Sequence, residues 1–284
     1  MPFEAATRDQ RFWAGGISAI AEVIRHRELL GLLTRRDLKS RYKDSAGGFL
    51  WSLARPLTQL LIYYLVIGEF LNAARVIDNF AIYVFAGLSL YTLFSEIVSG
   101  ATSSVVSNSG LVKKVYLPRE IFPLATVGAA LVNFAIQVGL LIVAAALIGT
   151  LSWGPHLLWS LAGFALVMIF AVAIGLALSA INVYLRDVQY FVEVALMLMM
   201  WASPIVYPWA AATNVFGGWL AEVYLNNPVT LSVIAFQHAF WDPSAPLPDD
   251  FGLRMLIAGL VGLVLLWFAQ RIFIRLEGDF AQEL

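Results

Sequence analysis

Across 284 residues the chain is 60% hydrophobic and only 13% charged, with a formal net charge of -1. Soluble domains are near a quarter charged, so this composition excludes an ordinary water-soluble fold, and the near-zero charge argues against a general attraction to nucleic acid. Cysteine is absent, which removes disulfides, thiolate nucleophiles and cysteine-ligated metals.

In chain order, residues 1–50 read as a cytoplasmic N-terminal segment. Its first fifteen residues carry Glu4, Arg8, Asp9 and Arg11 and no apolar run, unlike a cleavable secretory signal. Over 17–44, Ile17, Ile20, Ile24, Leu29, Leu30 and Leu33 recur at helical spacing among basic residues. That pattern predicts an amphipathic helix lying at the membrane surface, the alternative being a cytoplasmic helix packed on its own chain. Gly47-Gly48 then allows a sharp bend.

Six apolar runs follow, at about 52–71, 80–106, 120–149, 157–181, 188–208 and 253–274. A spanning helix needs roughly 20 apolar residues, and these runs lack the alternation of a membrane barrel, so they read as helices. The expected fold is an all-α polytopic membrane protein. It has a six-span transmembrane domain over 51–284, an N-terminal amphipathic interfacial helix, and short re-entrant helices between the fifth and sixth spans.

Lys and Arg near span ends favour the cytoplasmic side. Arg8 through Arg55, then Lys113, Lys114 and Arg119, Arg186, Arg271 and Arg275 all fall on one side of a six-span layout, leaving Arg75 and Arg254 outside. Both termini are therefore expected in the cytoplasm.

Aromatic and polar groups share faces on two spans. Gln59, Tyr63, Val66 and Phe70 line one face of the first, and Tyr190, Glu193, Met197 and Trp201 line one face of the fifth. Such faces suit the wall of a sugar path, where rings stack and polar tips bond hydroxyls, or else ordinary helix packing with interfacial anchors. Glu96 and Glu193 are the central acidic groups, readable as gating or as structural hydrogen-bonding residues.

The loop at about 107–121 mixes apolar, basic and proline positions: Lys113, Lys114, Val115, Tyr116, Leu117, Pro118, Arg119 and Glu120. A short helix stopped near Pro118 would offer Val112, Tyr116 and Leu117 to a partner's groove, whereas the plainer reading is a charged turn that only sets topology. From about 209 to 250 there is one basic-free stretch with two apolar pieces, about 215–225 and 229–240, too short to cross. They read as re-entrant helices or as a small external cap. Asn226-Asn227-Pro228 marks the turn between them.

No catalytic constellation stands out. His26, His156 and His238 are scattered, leaving no metal site, and no lysine follows a glycine as a phosphate-binding loop requires. Catalytic and metal residues are thus expected to be none, and any ATP and Mg are expected on another chain.

The segment Arg36-Asp37-Leu38-Lys39-Ser40-Arg41-Tyr42-Lys43 with Gly48-Phe49-Leu50-Trp51, the 108–123 loop, Asn182-Val183-Tyr184-Leu185-Arg186-Asp187-Val188, Ser203-Pro204-Ile205-Val206-Tyr207 and Asn227-Pro228 occur in a telling order. Together they resemble the type-2 ABC exporter permeases of polysaccharide export, over nearly the whole chain. The resemblance implies a homodimer with two copies of a cytosolic ABC ATPase and a lipid-linked glycan as substrate, in the bacterial inner membrane among its lipids. It makes Lys113 to Glu120 the coupling helix on the ATPase. It makes the N-terminal helix, with Arg35, Arg36, Lys39, Arg41 and Tyr42, a cytoplasmic gate. It places the first and fifth spans at the dimer seam, so that Gln59, Tyr63, Phe70, Tyr190, Glu193, Met197 and Trp201 line the substrate path. A drug or lipid exporter of the same class is the nearest rival. An ion-driven carrier would need inverted repeats and paired intramembrane carboxylates, and an embedded transferase would need an acidic or histidine cluster.

Overall fold

The computed structural model describes residues 25–42, 50–70, 72–114 and 117–284, and every regular element among them is helical. Residues 17–24, the Gly47-Gly48 bend, Val115 and Tyr116 lie outside the described residues. Helix α1 covers Arg27–Tyr42, and α2 covers Leu50–Tyr63 before passing directly into a π-helix at Tyr64–Phe70. Pro56 inside α2 has no N–H to give, so one carbonyl of the preceding turn loses its helical partner.

Three helices of 28 residues follow: α3 at Phe80–Ser107, α5 at Ile121–Ile148 and α6 at Leu157–Tyr184, with the short α4 at Ser109–Lys114 between the first two. At 1.5 Å per residue each is about 42 Å long. With α11 (Phe251–Leu276), they are the four helices long and apolar enough to cross a membrane among the described residues. Between α6 and α11 lie α7 (Val188–Trp201), α8 (Trp209–Phe216), α9 (Gly218–Leu225) and α10 (Pro228–Phe240). A 3-10 turn at Glu277–Asp279 and a last turn, α12 at Phe280–Glu283, close the chain.

Local chemistry sets the boundaries. Asn79 and Asp250, the residues before α3 and α11, sit at φ 49° and 54°, a left-handed conformation that Asn and Asp tolerate better than other side chains. Gly149 ends α5 at φ 87° with its N–H on Ala145 O, the usual left-handed stop. Asn227 caps α10 by accepting from Val229 N at 2.9 Å, and Pro228 occupies the first helical position, where a missing N–H costs nothing.

The fifth apolar run behaves differently from its hydropathy. It predicts a helix to 208, but α7 stops at Trp201, because Pro204 cannot continue the ladder and disfavours helical backbone before it. At 14 residues α7 is about 21 Å long and α10, at 13, about 20 Å, both short of a hydrocarbon layer of roughly 30 Å.

Helix α3 is the centre of the bundle, with 78% of its apolar stretch buried against 22% for α5 and for α11. Its composition explains the position. Ser89, Thr102 and Ser104 return their hydroxyls to carbonyls of their own helix at 2.7 Å, and Gly87 and Ala101 let neighbours approach closely. Between apolar helices in lipid, small residues and locally satisfied hydroxyls are what permit tight packing. Helices α2, α5, α6, α7 and α10 all pack on α3, and α11 packs on α6. Helix α10 lies inside this assembly: Val229 to Gln237 are all buried, and it is wedged against α3 and α6. Phe236 stacks near Phe134 of α5 with centroids 5.9 Å apart, and Phe134 stacks on Phe164 of α6 at 5.4 Å.

Candidate functional site

Three regions hold the residues singled out by the sequence. At the basic end, Val112 of α4 is buried while Lys113 and Lys114 are exposed, and Leu117, Pro118 and Arg119 are half-buried. Glu120 is buried at the start of α5. The Arg119 guanidinium stands 5.7 Å over the ring of Phe280, which is fully buried. Phe280 also meets Phe273 of α11 at 5.6 Å and Tyr184 of α6 at 6.2 Å, edge to face, while the Tyr184 hydroxyl donates to Leu276 O at 2.8 Å. One aromatic of the C-terminal turn therefore ties the 117–120 loop to the ends of α6 and α11. Nothing in the sequence signalled Phe280, an isolated apolar residue between Asp279 and Gln282 outside any periodic run.

Helix α1 reaches the same end. Leu33 is buried, and Thr34 lies so close to α5 that a Cβ on Gly128 would meet its hydroxyl at 2.8 Å. Arg36 donates to Asn108 Oδ1 at 2.7 Å and pairs with Asp37 at 2.8 Å, joining α1 to the residue just before α4. Arg35 and Lys39 are exposed; Arg41 and Tyr42 belong to the last turn of α1. The candidate gate and the candidate coupling segment thus share a direct hydrogen bond.

The second region is a lateral face made by α2, the π-helix and α7. Gln59 and Tyr63 are half-buried, with Gln59 Nε2 donating to the Tyr63 hydroxyl at 3.4 Å and that hydroxyl contacting Met200 Sδ at 3.5 Å. Phe70 is 77% exposed, Tyr190 60%, Met197 60% and Trp201 52%, and Glu193 is exposed beside them. Phe191, Val194 and Leu198 extend the apolar surface along α7. Among the described residues, Phe70, Tyr190, Phe191, Glu193, Val194, Met197, Leu198 and Trp201 thus form one exposed, largely apolar face. Glu96 sits differently, inside the bundle, accepting from Asn133 of α5 at 2.9 Å.

The third region is the opposite end, where the break after α7 is held by side chains. The Tyr83 hydroxyl donates to Pro204 O at 3.1 Å and Tyr207 O at 2.7 Å, Gln237 Nε2 donates to Pro204 O at 2.8 Å, and the Tyr207 hydroxyl donates to Trp201 O at 2.7 Å. Tyr91 does the same for Leu196 O. Backbone carbonyls freed by the break must find donors within the protein, and Tyr83 of α3, Tyr207 of the turn itself and Gln237 of α10 provide them. Nearby, Glu222 of α9 and Arg254 of α11 form a two-pronged ion pair at 2.7 and 3.3 Å, and the guanidinium holds the Glu222 carboxyl below its usual range.

A model of the ABC-2 type transporter family matches residues 28–241, from α1 through α10. An O-antigen export system permease protein of Myxococcus xanthus is 31% identical over 94% of this chain and 100% of its own length. A protein of the same description from Klebsiella pneumoniae is 28% identical over 90% of this chain and 94% of its own. A polysialic acid transport protein of Escherichia coli is 22% identical over 81% and 89%.

Proposed function

This chain belongs to the ABC-2 type transporter family, and from that premise we propose that it is the membrane subunit of an ATP-driven exporter of a lipid-linked polysaccharide. The observation that carries the reading is the likeness, over nearly its full length, to proteins described as O-antigen export permeases. The cargo class is an O-antigen, a teichoic acid, a capsule or a cell-wall galactan, in a bacterial inner membrane.

In this reading the helical run 50–70 and α7 with the turn after it complete six spans with the four long helices, α8 to α10 form the re-entrant outer region, and both termini lie in the cytoplasm. Two copies of a cytosolic ATPase, which bind the ATP and Mg, seat on α4 and residues 113–120. Arg36, with its bond to Asn108, gives the gate helix a direct link to that seat. A second copy of the chain covers the exposed face of α2 and α7, whose half-buried Tyr63 and Gln59 and exposed Tyr190, Met197 and Trp201 suit stacking and hydroxyl bonding along a wet path. The polyprenyl-type tail of the substrate stays near lipid while its sugars take this path. Free energy comes from the partner, and this chain supplies geometry.

The test is co-purification of the tagged chain with a stoichiometric ATPase from its native membrane, followed by a charged pair at the seat, Tyr116→Asp with Leu117→Asp. Glycan export should fall at least about tenfold while hydrolysis persists. Unchanged export would remove the seat assignment, and a chain that purifies alone and works without ATP would overturn the exporter reading.

A further inference from the structure

The charged residues at the basic end point in different directions. Lys113 and Lys114 of α4 are exposed, whereas Glu120 is buried and Arg119 is half-buried with its guanidinium 5.7 Å over the Phe280 ring. A cation within about 6 Å of an aromatic face is attracted to it, and more strongly where water is excluded. The ring of Phe280 is fully buried, so the surface on which Arg119 rests is fixed. Residues 117–120 lie between α4 and α5 outside any helix, and Pro118 has no N–H to give, so side chains set much of the angle of this segment.

A second observation is independent of Arg119. Helix α12, which carries Phe280, packs on both α4 and α6. The Phe280 ring shares one apolar core with Val112 of α4, Leu33 of α1, Ile121 of α5 and Phe273 of α11, apart from the larger core around α3 and α10. Close-packed side chains transmit displacement rather than absorb it. A movement imposed on α4 and the 117–120 segment therefore has a short, stiff route to the end of α11, provided that Arg119 stays on its ring.

We propose that Arg119 and Phe280 form a clamp that makes the ATPase seat and the end of α11 move together, with Lys113 and Lys114 turned to the partner and Arg119 turned to its own chain. Both clamp members are positioning residues, and the inference rests on the exporter reading above. When the partner displaces α4, the guanidinium carries the displacement to Phe280. From that ring it passes, edge to face, to Phe273 of α11 and Tyr184 of α6. With the clamp gone the seat pivots, and ATP is hydrolysed without a matching movement of the bundle.

The experiment measures ATPase binding and hydrolysis for the complex in lipid nanodiscs, and surface glycan in cells relying on the same variant, each normalised to the amount of complex. Phe280→Leu keeps apolar bulk but removes the π face, and should raise hydrolysis per exported glycan about threefold or more while the ATPase stays bound. Arg119→Gln should give the same rise, the double variant no more than either, and Arg119→Lys, which keeps the cation, a smaller one. Lys113→Glu should instead weaken ATPase association, by about tenfold. A merely structural role would lower the amount of complex and leave the ratio alone. Rises that multiply in the double variant, an Arg119→Gln chain that sheds its ATPase as Lys113→Glu does, or a ratio unchanged by both single variants would each overturn the proposal. Should Phe280→Leu fail to accumulate, the Arg119 pair decides: equal rises for Gln and Lys overturn the clamp. A parent complex that exports no glycan removes the exporter reading and the clamp with it, whereas a parent that exports while the variants keep its ratio removes the clamp alone.

Discussion

Replacing Gly163 by alanine tests how α10 is held within the bundle. A Cβ at Gly163 would stand 2.8 Å from Ser232 O, 3.1 Å from the Ala235 Cβ and 3.4 Å from the Ser232 Cα. Two of these atoms are backbone, which cannot swing aside as a flexible side chain could. Carbon contacts are comfortable from about 3.5 Å, so α10 must retreat from α6 by several tenths of an ångström, loosening its contacts with α3 on the other side. Overpacking of this kind costs about 1–3 kcal/mol, partly offset by the roughly 0.5–1 kcal/mol that alanine gains over glycine in a helix. The net expectation is a loss on the order of 1–2 kcal/mol, about 5- to 30-fold in the folded-to-unfolded ratio. Gly259 on α11 has nothing within 4 Å of its virtual Cβ, so Gly259→Ala should instead stabilise by about 0.5–1 kcal/mol. Unfolding by sodium dodecyl sulfate titration in mixed micelles, followed by tryptophan fluorescence, measures both. A Gly163→Ala protein as stable as the parent, or a Gly259→Ala protein that loses as much, would refute the packing argument.

Two other variants probe the opposite end. Tyr83→Phe removes the donor to Tyr207 O and one of two donors to Pro204 O, which keeps Gln237, and the orphaned Tyr207 carbonyl should cost about 1–3 kcal/mol; the same titration reads it, and a loss no larger than that of Tyr190→Phe on the exposed face would show that the turn does not depend on this hydroxyl. The Glu222–Arg254 pair should respond to acid: because the folded-state carboxyl titrates below its ordinary value of 4.5, its contribution is present above that value and is lost as pH falls through the lowered one. Amide exchange in α9, compared between neutral pH and pH about 3, should rise in the parent but be independent of pH in Glu222→Gln, apart from the intrinsic exchange rate; equal acid responses in the two would deny the pair any role.

The helical, membrane-embedded character of the chain was legible because it depends on local composition. Long apolar runs with few charges leave helices as the only way to satisfy the backbone, and α3, α5, α6 and α11 begin and end within a few residues of their runs. The basic, proline-containing segment near 108–120 was legible for the same reason. Its contact with Arg36 was not, since 72 residues separate Arg36 from Asn108. Hydropathy carried the fifth run through Pro204 to 208, whereas the helix stops at Trp201 and the carbonyls of the turn after it, Pro204 O and Tyr207 O, are met by Tyr83 and Gln237, which come from distant segments.

Chain composition by itself determined that this protein is a bundle of membrane helices, and motif order alone pointed to its family. Only the tertiary structure decided which faces are covered. A leucine on α11 and one on α3 are equally apolar as letters, yet Leu256 is left exposed and Leu90 is fully buried, because burial is a property of neighbours rather than of the residue. By the same logic Phe280 became an anchor and α10 an internal wedge: each role is set by contacts between segments that no local pattern connects.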